Sequence, residues 1–451
     1  MRKQNPSFKI LLLIIVLLLS TGFQCKCTSN DIAKQLKPIT LEYWGVWDDS
    51  EVMNRLILKY QIIHPNITVK YKKLRYEEYE RSLLEGWADG QGPDIFSIHN
   101  TWVPKYKDKI LPMPKSIELP YVSYKAAIPG CEKKTEQVIT SQKTHTISLS
   151  ELKNNYSGTV YHDSVLNGEI YALPFFLDTL ALFYNRDLLD SANIPFPPAD
   201  WDEFIEDVRL LTQYDVDRNI IQSGAALGTF ENIDRSVDIL SLLMMQNGVD
   251  LSAFASKGSN LGRSTEALEF YLDFADPQRE IYTWNNEKPN ALDAFSEGNL
   301  AFFIGYSYHI PLIKQKAPIL NFSISEIPQV NLSNPINYAN YWTQTVFKRS
   351  KYTKEAWDFI LFLSQEENVK EYLKDAKRPT ALRSLIKTQE KDPMLKSFAT
   401  QVLTADSWHE VRDFNHLEKA FQKMFSKIYS DEPQDLGTLL RSVNASIQTL
   451  K

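Results

Sequence analysis

The sequence predicts an α/β fold in which mostly parallel sheets are flanked by helices. Two observations carry that prediction. Between residues 39 and 98 the apolar period switches repeatedly between two and about 3.6, as it does where strands alternate with helices. After residue 200 a second alternating set begins, so the 451-residue chain holds more than one such unit. Composition fits a globular protein, at 43% hydrophobic and 24% charged. The formal charge of −6 gives no overall basic field for nucleic acid.

The first 25 residues read as an export segment. Arg2, Lys3 and Lys9 precede an unbroken aliphatic run at 10–19, and Ser20, Thr21 and Gly22 follow it. The run is shorter than the roughly 20 residues that span a bilayer comfortably. Cys25 stands where a bacterial lipoprotein carries its lipidated cysteine, with Phe23 and Gln24 at positions that favour small residues. A cleaved, lipidated form and an uncleaved anchor are both open. Either tethers the folded part to the outer face of the cytoplasmic membrane, with 26–37 as a polar linker. Cys27 and Cys131 then offer no obvious intradomain disulfide. No Cys or His cluster has zinc-ligand spacing, so neither a metal nor another cofactor is expected.

Residues 39–43 (ITLEY) alternate like a strand, and 50–63 place Val52, Met53, Leu56, Ile57, Tyr60 and Ile63 at helical spacing. A strand at 67–71, a helix at 76–87 and a strand at 94–98 (DIFSI) complete the first set. That order implies right-handed crossovers and a parallel sheet, with sites beyond the carboxyl ends of its strands. Those ends carry WGVWDD at 44–49 and HNTW at 99–102. Rings stack on sugar C–H faces while carboxylates and amides bond hydroxyls. Trp47, Asp48, Asn100 and Trp102 are therefore candidates for a polyhydroxylated ligand, and Trp44 for the core. Residues 115–165 are polar and rich in Lys and Thr; a surface insertion with little regular structure is expected there, up to the hairpin-like VLNGEIYALP.

The run from 172 to 184 is apolar except at Pro174, Asp178 and Thr179, the pattern of a strand buried on both faces. A buried carboxylate is costly without a partner. Asp178 either faces a ligand or is held by backbone N–H groups. The second set follows with a helix at 201–214, a strand at 220–227, helices at 233–246, 264–274 and 290–297, and strands at 300–305 and 322–327. Helices at 354–373, 393–404, 417–429 and 436–450 form the tail.

In this order and spacing, WGVWDD, GPDIF (92–96), NGEIYALPFFLDTLALFYNRDLL (167–189), PPADWDEFIE (197–206), EGNLAFFIGYSYHI (297–310) and KEAWDFILFLSQEENVKEYL (354–373) resemble the family 1 extracellular solute-binding proteins of bacterial ABC importers. The resemblance implies a two-lobed periplasmic-binding-protein fold joined by hinges. One lobe would comprise 38–177 and 331–388, the other 183–326 and 393–451, with hinges near 178–182, 327–330 and 389–392. It points to Tyr306 or Tyr308 as a stacking ring in the second lobe. It places Trp342 and Arg378 where returning first-lobe segments approach the cleft, with Trp408 as a further wall residue. The insertion is longer than in typical members, and YWTQTVF (341–347) replaces a glycine-rich approach, so Trp342 is expected to narrow the cleft. The implied function is a monomeric, non-catalytic receptor that captures a carbohydrate-like solute and delivers it to a membrane permease. Two other functions are weighed against it. A secreted glycosidase would draw on Asp48, Asp49 and Asp178, yet the sequence carries no catalytic motif to set two carboxyls about 5–10 Å apart. A sugar sensor or adhesin would work without a transporter.

Overall fold

The computed structural model describes residues 36–448 apart from 127–134, 257, 410, 412 and 431–434. Cys25, Cys131 and the export segment lie outside the described residues. Two sheets organise two separate hydrophobic cores. The first runs in the order Ile67–Lys73, Ile39–Gly45, Ile95–His99, Trp342–Phe347, Ile110–Leu111. Its first three strands are parallel, as the crossovers require. Trp342–Phe347 is antiparallel to Ile95–His99 and sets Trp342 opposite His99. Asp49 caps the helix Ser50–Ile63 by accepting from the Glu51 and Val52 N–H groups, and the helix buries Val52, Met53, Leu56, Ile57 and Tyr60. The alternation legible at 39–98 is therefore the folded arrangement.

The second sheet has the order Gln213–Tyr214, Ile220–Ala225, Leu300–Gly305, Ala181–Asn185, Phe322–Ser325. Ala181–Asn185 runs antiparallel to both neighbours. Between the sheets, Asp178–Thr179, Asn337–Asn340 and Ala405–Asp406 form a small three-stranded link. The chain changes cores across this link. Leu177 packs in the first core and Leu180 in the second. Tyr338 packs in the second and Ala339 in the first. That change falls after the 327–330 crossing expected from the sequence, because Ile336 and Tyr338 still pack on the second core. The last passage is not a single crossing near 389–392. Leu385 belongs to the first core, Leu395 and Phe398 to the second, Val402 and Ala405 to the first again, and Trp408 to the second.

The 115–165 segment corrects an expectation. Instead of irregular chain it holds a long antiparallel ribbon, Ile117–Ala126 with Thr135–Thr144, and then the helices Leu149–Asn155 and Gly158–Ser164. Its anchor lies far away in sequence. The Tyr121 hydroxyl donates to Asp358 at 2.9 Å, Thr144 donates to the same carboxylate, and Tyr60 reaches its other oxygen at 2.7 Å. Local composition is silent about such a partner. The helix expected over 354–373 is also two helices, Thr353–Leu363 and Glu366–Ala376.

Candidate functional site

A cavity of about 760 Å³ lies against the link, and side chains of both cores line it. From the first-lobe side come Trp47, Tyr76, His99, Trp102, Trp342 and Arg378; from the second come Arg235, Tyr306, Tyr308, Phe414 and Glu418. Trp47 is 48% exposed and stacks on Tyr76 with centroids 5.8 Å apart. Trp342 also lines the cavity, meeting Trp102 edge-on at 5.5 Å and Tyr76 at 6.2 Å. Tyr306 and Tyr308, also in the lining, stack at 5.9 Å. Aromatic rings of both lobes thus line one wettable space.

Asp178 is buried, 2% exposed, and sits at the edge of this space. It accepts from the Thr179 N–H at 3.1 Å, from the Ser307 N–H at 3.1 Å and from the Ser307 hydroxyl at 2.5 Å. Arg378 lies 3.5 Å away and covers the Phe176 and Tyr308 rings. Burial pushes the carboxyl up to about 6, with Arg378 and then Ser307 opposing. The backbone-held role and the cavity-facing position are thus combined in one residue. Because Asp178 lies at the crossing, Ser307 belongs to the second lobe and Arg378 to the first, it ties the lobes together.

A second polar chain runs between the lobes. Asp238 accepts from Arg235 at 2.9 and 2.5 Å, from the Tyr306 hydroxyl at 2.6 Å and from the Asn340 amide at 3.1 Å. Asn340 therefore presents its oxygen to His99, whose Nε2–H donates at 3.0 Å, while Nδ1 accepts from Thr101 at 2.7 Å. Burial pulls the His99 imidazole down to about 4, consistent with this neutral tautomer.

Of the residues singled out by sequence, Trp47, Trp102, Asp178, Tyr306, Tyr308, Trp342 and Arg378 line the cavity. Asp48, Asn100 and Trp408 do not. Asp48 turns away from Trp47 into the first core, where it accepts from Tyr372 at 2.6 Å and Ser97 at 3.3 Å. Asn100 donates to Asp163 at 2.9 Å, and Asp163 also takes Tyr341, Ser407 and His409. Trp408 packs in the second core and donates to Ser241 at 2.9 Å. Sequence reasoning missed Tyr76, His99, Arg235, Phe414 and Glu418. Only His99 carried a usable signal, since it opens the HNTW loop at the carboxyl end of a strand.

The profile of a family described as bacterial extracellular solute-binding protein matches residues 56–397. Among curated relatives, a protein of Brucella abortus (strain 2308) named as a binding protein is 26% identical over 220 residues, 48% of this chain and 52% of that one. The galactooligosaccharide-binding protein of Bacillus subtilis (strain 168) is 23% identical over 272 residues, 57% of this chain and 59% of that one. The chain thus spans about half the length of the curated relatives it matches. The fold is similar to that of the cyclic alpha-maltosyl-1,6-maltose binding protein from Arthrobacter globiformis, with a TM-score of 0.70 over 92% of this chain and 99% of that one at 16% identity.

Proposed function

The chain belongs to the bacterial extracellular solute-binding protein family, and from that premise we propose that it is the solute-capturing component of an ABC-type importer, holding a carbohydrate between its lobes without catalysis. The observation that carries this reading is a cavity lined by aromatic rings of both lobes, Trp47 and Trp342 from the first and Tyr306 and Tyr308 from the second. Rings on opposite lobes hold a sugar face only when the lobes meet, so binding favours closure. Asp178 supports a non-catalytic role: its oxygens are taken up by Ser307, Thr179 and Arg378 rather than left to act on a substrate. The names of the relatives, a galactooligosaccharide-binding protein among them, support an oligosaccharide as the solute. The partner is a membrane permease, and the protein acts as a monomer. Among the described residues no helix is long and apolar enough to cross a membrane; tethering through a lipidated Cys25 is the proposed attachment.

The test is a thermal-shift screen of the chain from residue 36 against mono- and oligosaccharides, peptides and polyols. An aromatic sandwich with charge-assisted hydrogen bonds gives affinity on the order of −8 kcal/mol, roughly micromolar. A solute at one hundred times its dissociation constant then adds about 2.7 kcal/mol of stability. A response to peptides with none to any saccharide would reject the reading.

Closure is held by a cross-lobe cluster that meets the cavity lining at Asn415. Lys105 reaches Glu80 at 2.6 Å and Asp413 at 2.9 Å, and Asn415 donates to Glu80 at 3.1 Å. The groups are only partly buried, so the cluster is worth on the order of 1 kcal/mol. Lys105→Met is expected to enlarge the radius of gyration of the unliganded protein in X-ray scattering and to weaken binding a few-fold. An unchanged scattering profile would show that the cluster does not govern closure.

A further inference from the structure

We infer that the bound solute is a linear oligosaccharide longer than the central cavity, whose far end passes between Tyr76 and Glu418 into a groove on the second lobe. This rests on the carbohydrate reading above and narrows it to extended chains. The cavity does not stop at the helix Tyr76–Ala88. A second hollow of about 410 Å³ begins there, and Tyr76, Asp234, Asn415 and Glu418 line both spaces. This shared neck is built by the two lobes together, Tyr76 from one and the other three from the second. Asn415 is fixed there by its bond to Glu80, so the closed arrangement keeps the passage framed.

Beyond the neck, the groove presents Phe230, Glu231, Lys419 and Gln422. Among the described residues, the side chains of Glu231, Glu418, Lys419 and Gln422 make no hydrogen bond or ion pair with the protein. Carboxylate, ammonium and amide groups left free along a concave path are the chemistry that meets successive sugar hydroxyls, while Tyr76 and Phe230 offer ring faces to the C–H surfaces. In the central cavity Arg378 is matched by Asp178 and Arg235 by Asp238. A short sugar seated on Trp342 and the Tyr306–Tyr308 pair leaves the groove untouched. Only a chain that continues past the neck uses it.

Titration calorimetry with di- and hexasaccharides of the malto and galacto series tests this. In whichever series binds, the hexasaccharide is expected to bind about tenfold or more tightly than the disaccharide. Combining Glu231→Ala, Lys419→Ala and Gln422→Ala, all at exposed positions, should remove that gain. Disaccharide affinity should stay as it was, which also shows that the variant is folded. Equal affinities for the two lengths, or a gain that survives the triple substitution, would overturn the inference while leaving the carbohydrate reading in place. Failure of every saccharide to bind would overturn both.

Discussion

Arg378→Ala is expected to destabilise the protein by about 3 kcal/mol at neutral pH and to change the shape of its pH–stability profile. The guanidinium lies 3.5 Å from a carboxylate that is 2% exposed, so its removal strands Asp178 as a buried charge held only by Ser307 and Thr179. The sign follows from the direction of the shift. Burial raises the Asp178 carboxyl to about 6, while in the unfolded chain it titrates at about 3.9. Between those values the folded protein holds a proton that the unfolded chain has released. Stability therefore declines as pH rises from about 4 to about 6 and is level above that, a cost of about 3 kcal/mol for this group. Arg378 is the strongest influence opposing the rise. Without it the carboxyl moves higher and the declining limb extends past pH 6. Asp178→Asn should abolish the limb in either background. Urea denaturation at pH 4.5, 6 and 7.5 reads all of this, and parallel profiles for wild type and both variants would show that the pair carries no linkage.

The same residue shows what was legible in the sequence. Asp178 stood out because a lone carboxylate in an apolar run violates the cost of burying charge, and that rule needs no knowledge of the fold. The strands and helices of residues 39–99 were legible for a similar reason: each period repeats locally, and the parallel sheet follows from their order. What answers Asp178 was harder to place. Arg378 comes from 200 residues away, and only the resemblance to a family brought it near the cleft.

Arg235 and Glu418 were lost for the opposite reason. Arg235 and Asp238 sit three apart, as in any surface ion pair on a helix, and Glu418 lies on the polar face of an amphipathic helix, Phe414–Ile428. Nothing local separates a cavity wall from a solvated face. Asp48 failed through direction: neighbours in a loop point different ways, so Trp47 reaches the cavity while Asp48 enters the core. The ribbon at 117–144 was hidden because its anchor, Asp358, lies on a helix remote in sequence.

Trp342→Ala should have the largest effect on both stability and binding. The indole is 6% exposed and meets Trp102, Tyr79, His99 and Tyr76 edge-on at centroid distances of 5.5 to 6.2 Å. Truncation leaves a void among four rings that cannot close over it, at about 3–5 kcal/mol. On the proposed function it also removes a ring from the lining of the solute cavity, so binding should fall by about a hundredfold, or some 2.7 kcal/mol. Because an unfolded fraction would mimic lost affinity, two milder variants separate the effects. Trp342→Phe keeps a ring against Trp102 but a smaller one, and should retain most of the stability while binding about tenfold more weakly. Trp47→Ala removes a half-exposed ring, and should leave stability within about 0.5 kcal/mol while costing a comparable factor in affinity. Loss of affinity without loss of folding at Trp47, together with a graded loss at Trp342, ties the solute to both of these rings. Wild-type affinity in both Trp47→Ala and Trp342→Phe would place the solute away from the two first-lobe rings that line this cavity.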